Sequence, residues 1–322
     1  MDTNKFTISS SPHVRDKDTV QSVMGDVLIA MVPAAIAGIK FFGMGAAINI
    51  IAGVAGAVIA EVLMQKMMKR PVTVGDLSAV VTGVLLAFNV PPTAPWWMTF
   101  VGGLFAIAVG KQLFGGLGHN YINPALVARA MLLASWPVLM TNWAMPIGSQ
   151  PAGDAVSAAT PLAFIKGAEL GAEKYDVMSM FIGNIPGTIG ETCKIALILG
   201  GIYLVYRGVI DLLIPCLYIL TVFVLTFCMS GFDPSMAVYN VLGGGLMLGA
   251  IFMATDYTTS PMYKKGKVIY AIGCGVLTSV IRYYGGYPEG VSYSILLMNV
   301  ATPLIDKYLR PRKFGEVAKN AR

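Results

Sequence analysis

The chain has 322 residues, of which 56% are hydrophobic and 12% are Asp, Glu, Lys or Arg, about half the charged share of an ordinary soluble domain. With a mean hydropathy of +0.68, this composition excludes a cytosolic enzyme, a nucleic-acid-binding module and a disordered chain, and makes the lipid bilayer the expected solvent. The formal charge of +6 then has to be explained by where the basic residues stand.

Residues 1–22 are polar, lack the apolar core of a signal peptide, and are expected to form a cytoplasmic N-terminal segment. Ten apolar runs follow, near 23–39, 46–64, 77–90, 96–110, 122–139, 192–206, 212–229, 236–255, 268–282 and 291–305. Each is about long enough to cross a bilayer as a helix. The uncharged stretch from 77 to 110 is too long for one span and is split by Pro91 and Pro92, since proline removes a donor and disfavours helix in the residue before it. The chain therefore reads as an all-α integral membrane protein of about ten transmembrane helices. Residues 23–306 form a single polytopic membrane domain, and residues 307–322 a basic cytoplasmic tail.

Sorting Lys and Arg into alternate loops, with both termini inside, places 17 on the inner side and 5 on the outer, and Arg129 within a span. That bias is the positive-inside pattern, so the basic excess is topological and no nucleic-acid partner is expected. Lys111 is counted here with the inner loops, and Lys194 and Arg282 with the outer ones. Ten spans divide into two halves of five, and an odd number per half requires related halves to be inverted in the membrane. A shift of 166 residues superimposes Gly83 on Gly249 and Pro95 on Pro261, while Asn123 and Ala125 similarly face Asn299 and Ala301. Two inverted five-helix repeats are expected, an arrangement that places sites near the midplane in transporters.

Four cysteines, Cys193, Cys216, Cys228 and Cys274, are far apart with no CxxC spacing, and His13 and His119 are too few for a haem pair. Neither set can hold a cluster or a metal by itself. Trp96, Trp97, Trp136 and Trp143 fall near the outer ends of runs and read as an interfacial belt. Asp26, Glu61 and Arg129 lie at lipid depth, with Asp76, Asp256, Asp306 and Glu289 near run ends. Ion pairs and helix caps account for such charges, and so does an ion or proton route.

Between 141 and 191 lies a segment of modest apolar content, placed outside by the topology and too long to be a mere connection. It contains Asp154-Ala155-Val156-Ser157-Ala158-Ala159-Thr160-Pro161. Pro161 keeps Thr160 out of the interior of a helix. From the residues alone, an Asp or Ser helix cap fits as well as an exposed threonine able to enter another enzyme's active site. Asn120 and Asn123, three apart, share a face if the turn between them is helical, and Pro124 suits the first turn of a helix capped by Asn123.

DAVSAAT, ending on Thr160, resembles the flavinylation motif D-G-x-[S/T]-G-A-T of membrane flavoproteins, with Ala155 and Ala158 in place of its glycines. GHNYINPALVARA at 118–130, GAIFMATD at 249–256 and YPEG at 287–290 match the same family. Together they resemble the D subunits of Rnf complexes and, more distantly, the B subunits of sodium-pumping NADH:quinone reductases, over the whole membrane domain. The resemblance implies FMN joined covalently through a phosphodiester to Thr160, with Asp154 and Ser157 read by the flavin transferase during attachment or bonded to the flavin afterwards. It also implies a second, non-covalent flavin, riboflavin, near Asn120 and Asn123 at the cytoplasmic end. The function implied is that of a flavoprotein subunit in the bacterial cytoplasmic membrane, relaying electrons between reduced ferredoxin and NAD with outward movement of Na⁺ or H⁺. With no Rossmann glycine motif and no cluster ligands, the chain depends on partner subunits of the A, B, C, E and G types. The alternative that topology alone leaves open is a secondary transporter or channel for a small solute.

Overall fold

The computed structural model describes residues 18–147, 160–165, 175–286 and 289–310. Among these residues every regular element is helical, and each of the ten apolar runs coincides with helix. Helix α1 (Val20–Phe42) opens on a capping box between Thr19 and Ser22. Only Gly43, at φ 72°, separates it from α2 (Met44–Met67). These two helices are each long and apolar enough to cross a bilayer.

The stretch around the two prolines is broken as expected. Helix α3 (Ser78–Phe88) stops before Pro91, and α4 (Trp96–Ile107) starts after Pro95 and runs into a π-helical turn, Ala108–Gln112. Helix α5 (Pro124–Ser135) is followed at Trp136 by a short α6 (Pro137–Met140), because Pro137 has no N–H to continue the ladder. Then come the short α7 (Pro161–Ile165) and α8 (Val177–Ile182), and the longer α9 (Lys194–Tyr206) and α10 (Leu213–Met229).

The run at 236–255, read as one span, is two pieces. Helix α11 (Pro234–Leu242) ends at Gly243, and α12 (Leu246–Leu248) continues as a π turn, Gly249–Met253, the two pieces meeting at a bend of 64°. Three consecutive glycines, Gly243, Gly244 and Gly245, make the break, with Gly244 at φ 64°. Helices α13 (Lys264–Tyr284) and α14 (Val291–Tyr308) complete the chain.

The distribution of polarity is that of a protein dissolved in hydrocarbon. Asp26, Asn49, Glu61 and Gln65 are buried on α1 and α2, while Ile29, Ile36, Ile48 and Ile51 of the same helices are exposed. Lys111, Lys194 and Arg282, assigned to loops by the positive-inside count, are all buried, at 2%, 0% and 2% exposure. They end apolar runs, and so look interfacial in the sequence, but each has buried acceptors to reach. The inner-side excess of the remaining basic residues is unaffected.

Helices in lipid gain little from hydrophobic contact with each other, so close packing through small residues has to hold them. The most intimate contacts are α2 with α4 and α3, α10 with α13, and α1 with α9. In the first group a Cβ on Gly103 of α4 would lie 2.6 Å from the Gly53 carbonyl oxygen and 2.9 Å from the Ala57 nitrogen of α2. Both neighbours are backbone and cannot swing aside. Gly103→Val should therefore lower the stability of the detergent-solubilised protein by about 1–3 kcal/mol or more. Thermal aggregation followed by fluorescence-detected gel filtration reads that loss, and an unchanged melting profile would show that the α2–α4 seam tolerates separation.

Candidate functional site

Two polar regions sit at opposite ends of α9. The first is a half-open cleft with room for water over about 100 Å³. Its walls are mostly apolar, including Val27, Leu85, Leu204 and Phe252, and its polar groups include Ser78, Lys111, Asn120, Asn123, Asp256 and Thr258.

Asn123 is the N-cap of α5, its Oδ1 accepting from the backbone N–H of Ala125 (3.1 Å) and Leu126 (3.3 Å), with Pro124 in the first turn. The cap expected from the sequence is thus present. Its amide nitrogen donates to the carbonyl of Met253, the last residue of the second π turn, at 3.4 Å. Asn120 Nδ2 donates to Thr258 Oγ1 at 2.9 Å, and that hydroxyl donates to Asp256 at 3.0 Å. The two asparagines therefore share one cleft although Asn120 lies outside the helix that Asn123 caps.

Lys111 closes the cleft from the π turn that follows α4. Its Nζ lies 2.5 Å from Glu61 Oε1 and 2.5 Å from Ser78 Oγ, the first residue of α3. Gln112 Nε2 reaches the same Glu61 oxygen at 3.1 Å. Successive side chains converge on one carboxylate because the wider π turn rotates them through a smaller angle than an α-helix does. Nearby, Asp26 of α1 accepts from Tyr203 (2.7 Å) and from Arg207 Nε (3.1 Å) beyond the end of α9. The hydrogen bond to Asp26 holds the Arg207 guanidinium still more firmly protonated than usual.

The second region surrounds the glycine break. Arg282 of α13 donates from Nη1 to the Asn240 carbonyl at 2.5 Å and from Nη2 to the Gly243 carbonyl at 3.1 Å. Lys194, the first residue of α9, donates to the carbonyls of Gly244 (3.2 Å) and Glu191. Apart from Glu191, these acceptors are carbonyls of the last turn of α11 and the glycine break beyond it, which no water can satisfy in hydrocarbon. On the adjoining side Arg129 of α5 pairs with Glu289 and bonds Ser292 of α14, which is the ion-pair reading of that charge.

Thr160 belongs to this second region. It is buried at 7% exposure, where the sequence reading has an exposed loop residue. The cause lies two residues on. Leu162, 2% exposed, packs on the glycine break: a Cβ on Gly244 would lie 2.5 Å from its Cδ1 and 3.5 Å from Arg282 Nη2. The Thr160 carbonyl also accepts the Ala163 N–H at 2.9 Å, so Thr160 leads directly into the first turn of α7. Asp154 and Ser157 lie outside the described residues.

Residues 7–315 match the model of the NQR2, RnfD, RnfE family. The chain belongs to this family. It is 52% identical over 313 residues to the D subunit of the Na(+)-translocating ferredoxin:NAD(+) oxidoreductase complex of Acetobacterium woodii, covering 96% of this chain and 95% of that protein. It is 46% identical over 325 residues to the D subunit of the proton-translocating ferredoxin:NAD(+) oxidoreductase complex of Clostridium ljungdahlii, with 97% of both chains covered. To the D subunit of the ion-translocating oxidoreductase complex of Halorhodospira halophila it is 38% identical over 343 residues, covering 97% of this chain and 96% of that protein.

Sequence reasoning selects Thr160, Asn120 and Asn123 but misses the residues that bind each region together: Ser78, Lys111 and Thr258 at one end, and Glu191, Lys194 and Arg282 at the other. The usable signal is a basic residue at the end of an apolar run, combined with a nearby Gly-Gly-Gly. Lys111 and Glu61 form a buried pair in which each partner depends on the other. Removing one leaves an uncompensated charge worth about 3–5 kcal/mol of destabilisation. Lys111→Met should thus destabilise the solubilised protein strongly, and the Lys111→Met/Glu61→Gln double variant should recover much of the loss. A double variant no more stable than Lys111→Met, by thermal unfolding, would contradict the pairing.

Proposed function

We propose that the chain is the D-type subunit of an Rnf-like ferredoxin:NAD⁺ oxidoreductase of the cytoplasmic membrane, carrying FMN on Thr160 and riboflavin in the cleft at Asn120 and Asn123. The observation that carries this reading is the coincidence of family and geometry: of the described residues in the family's motifs, Asn120, Asn123 and Asp256 fall in one polar region and Arg129, Thr160 and Glu289 in the other, at the two ends of α9. The relatives' names supply the overall reaction, electron transfer between ferredoxin and NAD⁺ coupled to movement of Na⁺ or a proton.

Both regions suit the groups assigned to them. The cleft has apolar walls for a flat ring and neutral amide donors and acceptors at its rim, from Asn120 and Asn123, with the hydroxyl of Thr258 beside them. In the region of the glycine break, on which Leu162 packs, buried donors remain unpaired among the described residues, namely Arg282 Nε, Arg129 Nε and the hydroxyls of Thr188 and Thr192, beside one unpaired acceptor, Asn240 Oδ1. An acceptor-rich anion such as a phosphodiester is the kind of group they lack. A bound flavin supplies the one- and two-electron chemistry, and the chain's residues supply position and electrostatics. The soluble ferredoxin and NAD sites, the second outward-facing flavin and the flavin transferase belong to partner proteins.

The finer architecture follows the same logic. Ten spans with both termini cytoplasmic place the cleft inside and Thr160 outside, and two five-helix halves are supported by matching packing. Helix α2 packs on α4 as α10 packs on α13. A buried cation closes each fourth helix and reaches the third element of its half: Lys111 the first residue of α3, Ser78, and Arg282 the end of α11 at Gly243.

Thr160→Val removes the hydroxyl that forms the phosphodiester but keeps its shape and branching. In cells that contain the flavin transferase, the wild-type band should fluoresce under ultraviolet light after denaturing electrophoresis, and the Thr160→Val band should be dark. The same variant should still release riboflavin on acid denaturation, detected by chromatography, because the cleft lies at the other end of α9. A fluorescent Thr160→Val band would overturn the attachment site. A folded wild-type chain with no flavin at all would favour the transporter reading.

A further inference from the structure

Among the described residues, the charges around the glycine break do not balance. Lys194 and Arg282 are buried at 0% and 2% exposure, and among the described residues no carboxylate oxygen lies within 4.0 Å of either. Arg129, the third cation of the region, is matched by Glu289. Glu191 is the carboxylate left to face Lys194 and Arg282, and its Oε1 is already occupied by the N–H of Thr188 at 3.1 Å. Capping α11 explains two guanidinium nitrogens and the lysine, since a helix C-terminus carries about half a negative charge. It does not explain two full cations against one acid, nor the unpaired Arg282 Nε.

The break they hold is also the surface on which Leu162 rests, two residues after Thr160. We propose that Arg282 and Lys194 are positioning residues for the flavin on Thr160: they anchor the segment that bears it and supply the net positive field that favours its reduced, more negative state. This rests on the covalent flavin at Thr160. An electron arriving from the complex's own donor adds one negative charge to the flavin, with no bond made or broken. Fixed cations in a region of low dielectric lower the energy of that added charge. The midpoint potential of this flavin is thereby raised, while a flavin at the far end of α9 feels the same cations weakly.

The test uses the purified complex with Lys194→Met, Arg282→Gln and Arg282→Lys, each examined for covalent flavin by in-gel fluorescence and titrated by spectroelectrochemistry. Lys194→Met and Arg282→Gln should keep the fluorescent band and shift the midpoint potential of the covalent flavin to more negative values, leaving the non-covalent flavin nearly unmoved. Arg282→Lys, which keeps the charge, should titrate close to wild type. Should Arg282→Gln fail to assemble for want of its bonds to Asn240 and Gly243, Lys194→Met leaves those two bonds in place and carries the same expectation. Retained fluorescence with unmoved potentials overturns this inference and leaves the flavin on Thr160 standing. A wild-type chain without covalent flavin overturns both.

Discussion

A peptide group inside a bilayer has no water to bond with, and an interrupted helix exposes several such groups at once. That constraint shapes this molecule more than any single contact. Breaks in α-helix at 89–95 and 243–245, and π turns at Ala108–Gln112 and Gly249–Met253, would each be costly in hydrocarbon. The chain offsets the cost with side chains sent from neighbouring helices: Arg282 and Lys194 to the carbonyls at the end of α11 and in the glycine break, Asn123 to the carbonyl of Met253, and Asn49 to the carbonyl of Ala94. The polar interior that results is where cofactor chemistry becomes feasible.

The same devices link the two ends of the protein. Helix α9 begins with Lys194 under the glycine break and ends near Leu204 in the wall of the cleft, so one rigid rod of 13 residues separates the two regions. Helix α1 packs along it, and Asp26 ties the two helices together through Tyr203 and Arg207. The relay we propose needs separations that do not fluctuate, and close backbone packing through glycines on α2, α3 and α4 gives the surrounding frame that rigidity.

Much of this frame is legible in the sequence. The apolar runs, the break at Pro91–Pro92 and the Asn123–Pro124 helix start follow from local rules, since proline and capping residues act within a turn of where they stand. What escapes is set by distant residues. The run at 236–255 looks continuous because three glycines are apolar by composition, and only the 64° bend reveals two helices. Lys111, Lys194 and Arg282 read as interfacial because their acceptors, such as the Gly244 carbonyl for Lys194, are far away in the chain. Thr160 reads as exposed for the same reason: its burial follows from Leu162 packing on Gly243 and Gly244. Asp154 and Ser157, known only from the motif, rest on the resemblance alone.

The central claim is chemical, that one threonine of this chain bears a flavin, and it is tested most directly by mass spectrometry of the peptide containing Thr160 from the native complex. The account predicts a peptide heavier than its sequence by one FMN less one water, with fragmentation placing the addition on Thr160 and on no other hydroxyl. An unmodified Thr160 peptide recovered in full yield from active complex, or an addition located on Ser157, would contradict it.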